Sequence, residues 1–373
     1  MDAPIGPASP LGYPAPYWFV VFFKVLGFTL HMVPMNLWYA GLISLLVTRL
    51  VGGEHGRRLS DRVLNALPIA IALGINFGII PLLFIQAAYY RVFYPATILM
   101  AWPWFAVIPL LMVAYYGVYI YVIGLRKDKM NAIRRAAGWV AAGTFMVLGF
   151  IFANSLSLMG NIGAWVDIWQ SANVGGAVLG FGSNIGDSTL WPRWLMMFGL
   201  ALTTTAAYVV VDTGFFAGQE SEEYKRWALG FALRLHTLGV LWTAVTGSWY
   251  IFLTLPGEIR AQLLAMPLLI LTFLTGAGIG LPWLLIVASQ RRFNRGVAFL
   301  IGLTQFGALA LHAVSRQIVQ NAEIAPYLDV TAEPVNIQWS PMILFLALFA
   351  AGIGLVVWML SQVVKANRQP AAG

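Results

Sequence analysis

Apolar stretches of about twenty residues recur along the whole chain, separated by short polar turns, and this periodic alternation limits the fold more than any motif. Nine such stretches run over 17–48, 66–90, 97–125, 135–158, 191–217, 226–254, 262–289, 296–320 and 340–364. The polar turns between them fall at 52–61, 126–135, 218–225, 256–260 and 290–295. In hydrocarbon every backbone N–H and C=O must be paired within the protein, so a run of this length crosses as a helix. Composition agrees: 60% of residues are hydrophobic, 10% are charged and the mean hydropathy is +0.78, against about 25% charged in soluble domains. The expectation is an all-α polytopic helical bundle forming one membrane domain over 1–373, with no soluble domain and no internal repeat. The first stretch exceeds the ~20 residues a crossing needs, and Lys24 is costly in lipid, so it is expected to begin as an interfacial segment.

The two longest connections on one side cover 160–190 and 321–340. The first is glycine-rich and carries Trp165 and Trp169, which suits either a segment lying along the interface or one docked on a partner subunit. With the N-terminus outside, one set of connections and tails holds Arg49, Arg57, Arg58, Arg62, Arg126, Lys127, Lys129, Arg134, Arg135, Lys225, Arg226, Arg291, Arg292, Arg295, Lys365 and Arg368. The opposite set holds Arg91, Arg193 and Arg260. Basic residues gather in short cytoplasmic loops, so the expected topology is N-terminus outside and C-terminus cytoplasmic. The net charge of +8 is then the signature of loops facing anionic lipid and implies no nucleic-acid partner.

The chain has no cysteine, which removes disulfides, thiolate-bound zinc, iron–sulfur clusters and covalent c-type haem. Histidine carries the remaining signal. His55 lies in a polar turn, whereas His31, His236 and His312 lie inside apolar stretches, where an ionisable side chain is expensive and imidazole can serve as an axial haem ligand. His31 falls about 20 Å into the first stretch and His312 about 12 Å below the outer end of the eighth, at ~1.5 Å per residue. Two imidazoles at overlapping depth on different helices could hold a b-type haem. Each could equally serve as a hydrogen-bonding group between helices. His236 falls near the midplane.

Arg316 follows His312 by one helical turn on the same face, where its guanidinium could meet a haem propionate rather than snorkel outward. Asp212 and Arg234 lie at similar depth on either side of one turn and are expected to form an intramembrane ion pair. Met196 and Met197, after Trp191, Pro192, Arg193 and Trp194, offer thioether ligands or plain packing. Tyr115, Tyr116, Tyr119 and Tyr121 crowd the third stretch as packing or interhelical bonding groups. No phosphate loop, catalytic triad or zinc motif is present.

Several segments, in this order, resemble the large haem-bearing subunit I of cytochrome bd quinol oxidases, over most of the chain. LHMVPMNLWYAGLISLL places His31 just before a proline, like that family's first-helix haem-ligating histidine. GINFG at Gly74–Gly78 resembles its second-span motif, and WVAAGTFMVLGFIFANS resembles its fourth-span tract ending in an Ala-Asn pair, here Ala153 and Asn154. HAVSRQIV resembles a late segment in which Arg316 and Gln317 align with the family's arginine and glutamine. The departures matter as much. The family's haem-ligating glutamate falls on Ala313, beside His312; its fifth-span histidine ligand falls on or near Met196; its seventh-span methionine has no counterpart near Thr272–Thr275. The third-span glutamates that feed protons to an oxygen-reducing site are replaced, and the long quinol-binding loop between spans six and seven shrinks to a turn at Pro256 and Gly257.

These losses argue against a complete oxygen reductase. The resemblance implies an electron-transfer subunit of a respiratory complex in a bacterial cytoplasmic (inner) membrane. One or two non-covalent b-type haems are expected on His31, His312 and His236, with Met196 and Arg316 in support. Quinone, lipid and other membrane or periplasmic electron-transfer subunits are the expected partners. The alternative is a haem-poor structural subunit paired with a more complete bd-like paralogue.

Overall fold

The computed structural model describes residues 4–366. Within them the chain is an all-α, multi-pass membrane bundle with nine helices long and apolar enough to cross a bilayer. In chain order the helices are α1 (Tyr17–Val51), α2 (Gly53–Ala88), α3 (Tyr90–Leu99), α4 (Ala101–Arg126), α5 (Ala132–Gly160), α6 (Trp165–Ser171), α7 (Leu190–Phe215), α8 (Glu222–Thr254), α9 (Gly257–Leu263), α10 (Leu268–Ser289), α11 (Arg295–Ile324) and α12 (Trp339–Ala366). The short helices α3, α6 and α9 lie in connections on one side. Arg368 of the expected basic tail lies outside the described residues.

All nine expected crossings are present, and several boundaries move. The turn expected over 52–61 is helical from Gly53, where a φ of +64° reverses the chain without a Cβ clash. The polar residues after it are good helix formers whose inner side, Leu59, Ser60 and Val63, is buried, so α2 runs on past the hydrocarbon region for 36 residues. The third crossing begins at Ala101 rather than 97, because α3 ends at Leu99, whose carbonyl accepts from the Gly182 N–H of the 160–190 connection. The turn expected at 256–260 is instead the short helix α9, so the seventh crossing begins at Leu268 rather than 262. The eighth continues to Ile324. Inside α1, Pro34 removes an amide donor, and the helix widens to a π-type turn over Leu37–Gly41 soon after it.

Helix α7 is the most enclosed crossing and packs along α8 and α11. Its small residues allow this: a Cβ at Gly199 would reach the Trp242 ring at 2.9 Å, and one on α8 at Gly239 would reach the Thr203 amide at 2.8 Å. Helix α12 sits at the periphery and touches the bundle through Phe345 and Phe349, which meet Phe23 of α1. The large apolar side chains left exposed on α4, α10 and α12 form the lipid-facing surface.

The 160–190 connection is tied down by a polar knot. Asn184 donates its amide N–H to Asn154 Oδ1 at 2.8 Å, and its side chain bonds Ser157, Asn161 and Asp187. Trp165 is buried and donates to the Leu158 carbonyl, while Trp169 stays exposed after it, followed by a two-stranded hairpin, β1 (Asn173–Val174) and β2 (Ala177–Val178). At the same end the chain before α1 straps onto the connection before α12: the Tyr13 N–H donates to the Pro334 carbonyl, and the Tyr13 hydroxyl donates to the Ala88 carbonyl at 2.6 Å. Burial, reinforced by Glu333, pushes the Tyr13 phenol well above its ordinary range, so this donor keeps its proton.

Candidate functional site

The site grows from the antiparallel pairing of α1 with α11. Lys24 Nζ donates to Gln320 Oε1 at 2.5 Å, and one turn on, the Arg316 guanidinium lies over the Phe28 ring at 4.4 Å. Continuing this register by a further turn brings His312 level with Met32, the neighbour of His31. The two histidines expected at overlapping depth thus share one layer on adjoining helices.

His31 leans on α2. Its Nδ1 lies 2.7 Å from the Gly74 carbonyl oxygen. A carbonyl only accepts, so Nδ1 carries the proton and Nε2 keeps its lone pair. A Cβ at Gly78 would meet the imidazole at 2.9 Å, so this glycine of the GINFG segment leaves the space in which the ring sits. His312 differs: its Nε2 is buried and has no hydrogen-bond partner. His31, His312 and Arg316 are each partly exposed rather than fully buried.

Two basic side chains border this layer. Lys24 is 4% exposed and is held by Gln320 and by the face of the Tyr89 ring, 4.1 Å from its centroid. Arg316 lies over Phe28 and makes no ion pair among the described residues. Arg193 nearby is already matched by Glu323 and lies over Tyr250. Two basic side chains therefore stand at membrane depth without a carboxylate partner among the described residues. A mesh of Tyr17, Tyr89, Gln317 and Asn321 closes the end nearest the start of α1, with Gln317 Nε2 donating to the Tyr89 hydroxyl at 2.7 Å and Asn321 Nδ2 to the Tyr17 hydroxyl at 2.6 Å.

His236 is placed elsewhere. It is fully buried, and its Nε2 donates to Gln305 Oε1 at 3.3 Å. Gln305 Nε2 in turn reaches the Thr203 and Thr204 hydroxyls, and Thr204 accepts from Asn36 at 2.8 Å. The Met196 sulfur faces α8, 3.6 Å from where a Cβ on Gly247 would stand. No three His, Asp or Glu side chains converge among the described residues, so the three membrane histidines do not form one cluster.

The expected Asp212–Arg234 pair is not formed. Arg234 lies on an exposed face of α8, and Asp212 is gripped in two-pronged fashion by Arg62, at 3.1 and 3.2 Å. Arg62 also reaches Glu220, which Arg58 holds from the other side at 2.5 Å. The reason is the extra length of α2, which carries Arg58 and Arg62 alongside the end of α7 rather than out into a loop.

Tyr89, Gln305, Asn36 and the Thr203–Thr204 pair were not anticipated. Their one sequence signal is the presence of amide and hydroxyl side chains within otherwise apolar runs, where each must find a partner.

No family model and no curated protein matches this sequence. Among solved structures the chain is similar to the bd oxidase from Geobacillus thermodenitrificans, with a TM-score of 0.67, 12% identity, and coverage of 96% of this chain and 100% of that one. At that identity the likeness is one of fold.

Proposed function

We propose that this bd-oxidase-like bundle is a membrane electron-transfer subunit of a respiratory complex, holding b-type haem between α1, α2 and α11. The observation that supports this most is the donor set: a tautomer-fixed His31 with a free Nε2 and an unpartnered His312, beside two basic side chains with no carboxylate partner among the described residues. A haem bound there would supply reversible one-electron chemistry to a chain that has none. His31 and His312 would hold the haem through their ring nitrogens, and the Gly74 carbonyl would fix the His31 ring and strengthen it as a donor. Arg316 and Lys24 would face the propionates, and Met196 and the engaged His236 are weaker ligand candidates. The basic end of the bundle would face the cytoplasm of a bacterium, electrons passing between membrane quinone and a partner at the opposite face. Without the acidic proton route, the chain would not itself reduce oxygen.

A second reading rests on the fit of His31 into the α1–α2 seam, where the Gly74 carbonyl and the Gly78 cradle already occupy it. In that reading the histidines join helices, and the subunit is a haem-poor anchor for a more complete paralogue.

Reduced-minus-oxidised visible spectra and haem extraction of the purified, folded protein decide between them. The first reading expects a Soret band that His31→Ala or His312→Ala removes. A folded protein without extractable haem refutes it, and unchanged spectra in both variants refute the ligand assignment.

A further inference from the structure

On the lipid-facing side, away from the histidines, α4 and α5 part to leave an open apolar groove of about 680 Å³. Its walls include Pro109, Met112 and Tyr116 from α4 and Ile133, Ala136 and Val140 from α5. At its floor Gly117 brings the helices together: a Cβ there would stand 2.8 Å from the Ala137 carbonyl. From Pro109 to Ile120 the groove follows α4 for about 16 Å, half of the ~30 Å hydrocarbon core and so the depth of one leaflet.

The charge at its mouth selects the occupant. Ile133 lies in the first turn of α5, directly after the 126–131 turn, which together with that helical turn carries Arg126, Lys127, Lys129, Arg134 and Arg135 against the single carboxylate of Asp128. Several other cations at this end are matched, Arg49 by Asp61, Arg58 by Glu220, Arg62 by Asp212 and Lys225 by Glu222, whereas Arg57, Arg226, Arg291, Arg292 and Arg295 are not matched among the described residues; what sets the 126–135 cluster apart is that it adjoins the groove. None of the five beside the groove forms an ion pair among the described residues, and Lys127, Lys129 and Arg135 are exposed. The positive end of the 29-residue helix α5 adds to this field.

We propose that this groove is a binding site for an anionic phospholipid, with an acyl chain lying along α4 and α5 and the phosphate held at the basic turn by Lys127, Lys129 and Arg135. The apolar wall alone would accept any lipid; the unmatched cations make the site selective for a negative headgroup. This inference is independent of whether the protein binds haem.

The test uses the full chain, delipidated in detergent and titrated with phosphatidylglycerol or phosphatidylcholine, with bound lipid read by native mass spectrometry. The wild type is expected to prefer phosphatidylglycerol at least tenfold. The Lys129→Gln/Arg135→Gln variant should lower that preference about fivefold or more, in keeping with the known contribution of each basic residue near a membrane surface. Ala136→Trp, which fills the groove, should lose the bound lipid of either kind, whereas Val147→Trp, on the exposed face of α5 beyond the groove, should keep it. Equal binding of the two lipids by the wild type overturns the proposal, as does full retention by Ala136→Trp. Loss of a co-purifying membrane subunit from Ala136→Trp with lipid preference intact also overturns it, by giving the groove to a partner helix.

Discussion

Replacing Arg62 by methionine tests how the basic end of the bundle is held. Arg62 joins three helical segments: it rises from α2, grips Asp212 near the end of α7 with two bonds, and reaches Glu220 before α8. Methionine keeps the length of the side chain and removes its charge. Glu220 still has Arg58 at 2.5 Å, whereas Asp212 is left 8% exposed with no cation. Breaking one side of a buried pair costs about 3–5 kcal/mol. The lower figure, about 3 kcal/mol, applies because nearly a quarter of the Arg62 side chain is open to solvent. For a chain of 373 residues this corresponds to a fall of about 4 °C in the melting temperature, at ~2.1 cal/mol/K of unfolding entropy per residue. The double variant Arg62→Met/Asp212→Leu removes the stranded charge and should recover most of the loss, giving a coupling energy of about 2 kcal/mol. Fluorescence-detected thermal unfolding in one detergent measures the four corners of the cycle, the wild type, Arg62→Met, Asp212→Leu and the double variant, with Arg234→Met as the control. A coupling below about 0.5 kcal/mol, or a loss in Arg234→Met equal to that in Arg62→Met, refutes the pairing.

Gly78→Ala places a methyl group 2.9 Å from the His31 ring; overpacking of this kind costs about 1–3 kcal/mol, and an unchanged melting temperature would show that the seam is looser than described. Gln305→Leu strips His236 of its partner, and leaving that buried group unpaired should cost about 1–3 kcal/mol by the same assay, a neutral result excluding the network as a stabilising element. Asn184→Ala removes three side-chain hydrogen bonds from the knot that ties down the 160–190 connection; limited proteolysis should then cut within 160–190 faster than in the wild type, and equal rates would mean that other contacts hold the segment.

The number of crossings was legible because run length and polarity decide it before any tertiary contact is made. The start of α2 was not, because Arg58 and Arg62 read as loop residues until their carboxylate partners on other segments are known. The same gap produced the wrong partner for Asp212: equal depth suggested Arg234, but depth says nothing about which face of a helix a residue occupies. The His31 seam was partly legible through the glycines at 74 and 78. The Tyr89, Gln305 and Asn36 networks were hidden, since uncharged polar residues inside an apolar run show neither periodicity nor a spacing that names their partners.

The bond between Lys24 and Gln320 has a consequence for biogenesis. The two residues are 296 positions apart, on the first and eighth crossings. During synthesis the first helix enters the bilayer with a cation that lacks its amide partner until nearly the whole chain has been made. Lys24 is only seven residues from the start of α1, so its insertion costs less than the roughly 2.5–3.5 kcal/mol of a lysine at the centre of a crossing, yet enough that the early helix is expected to ride high, with Lys24 near the headgroups. Arrival of α11 would then draw it down to its final depth, making the settling of the first crossing one of the last steps of assembly.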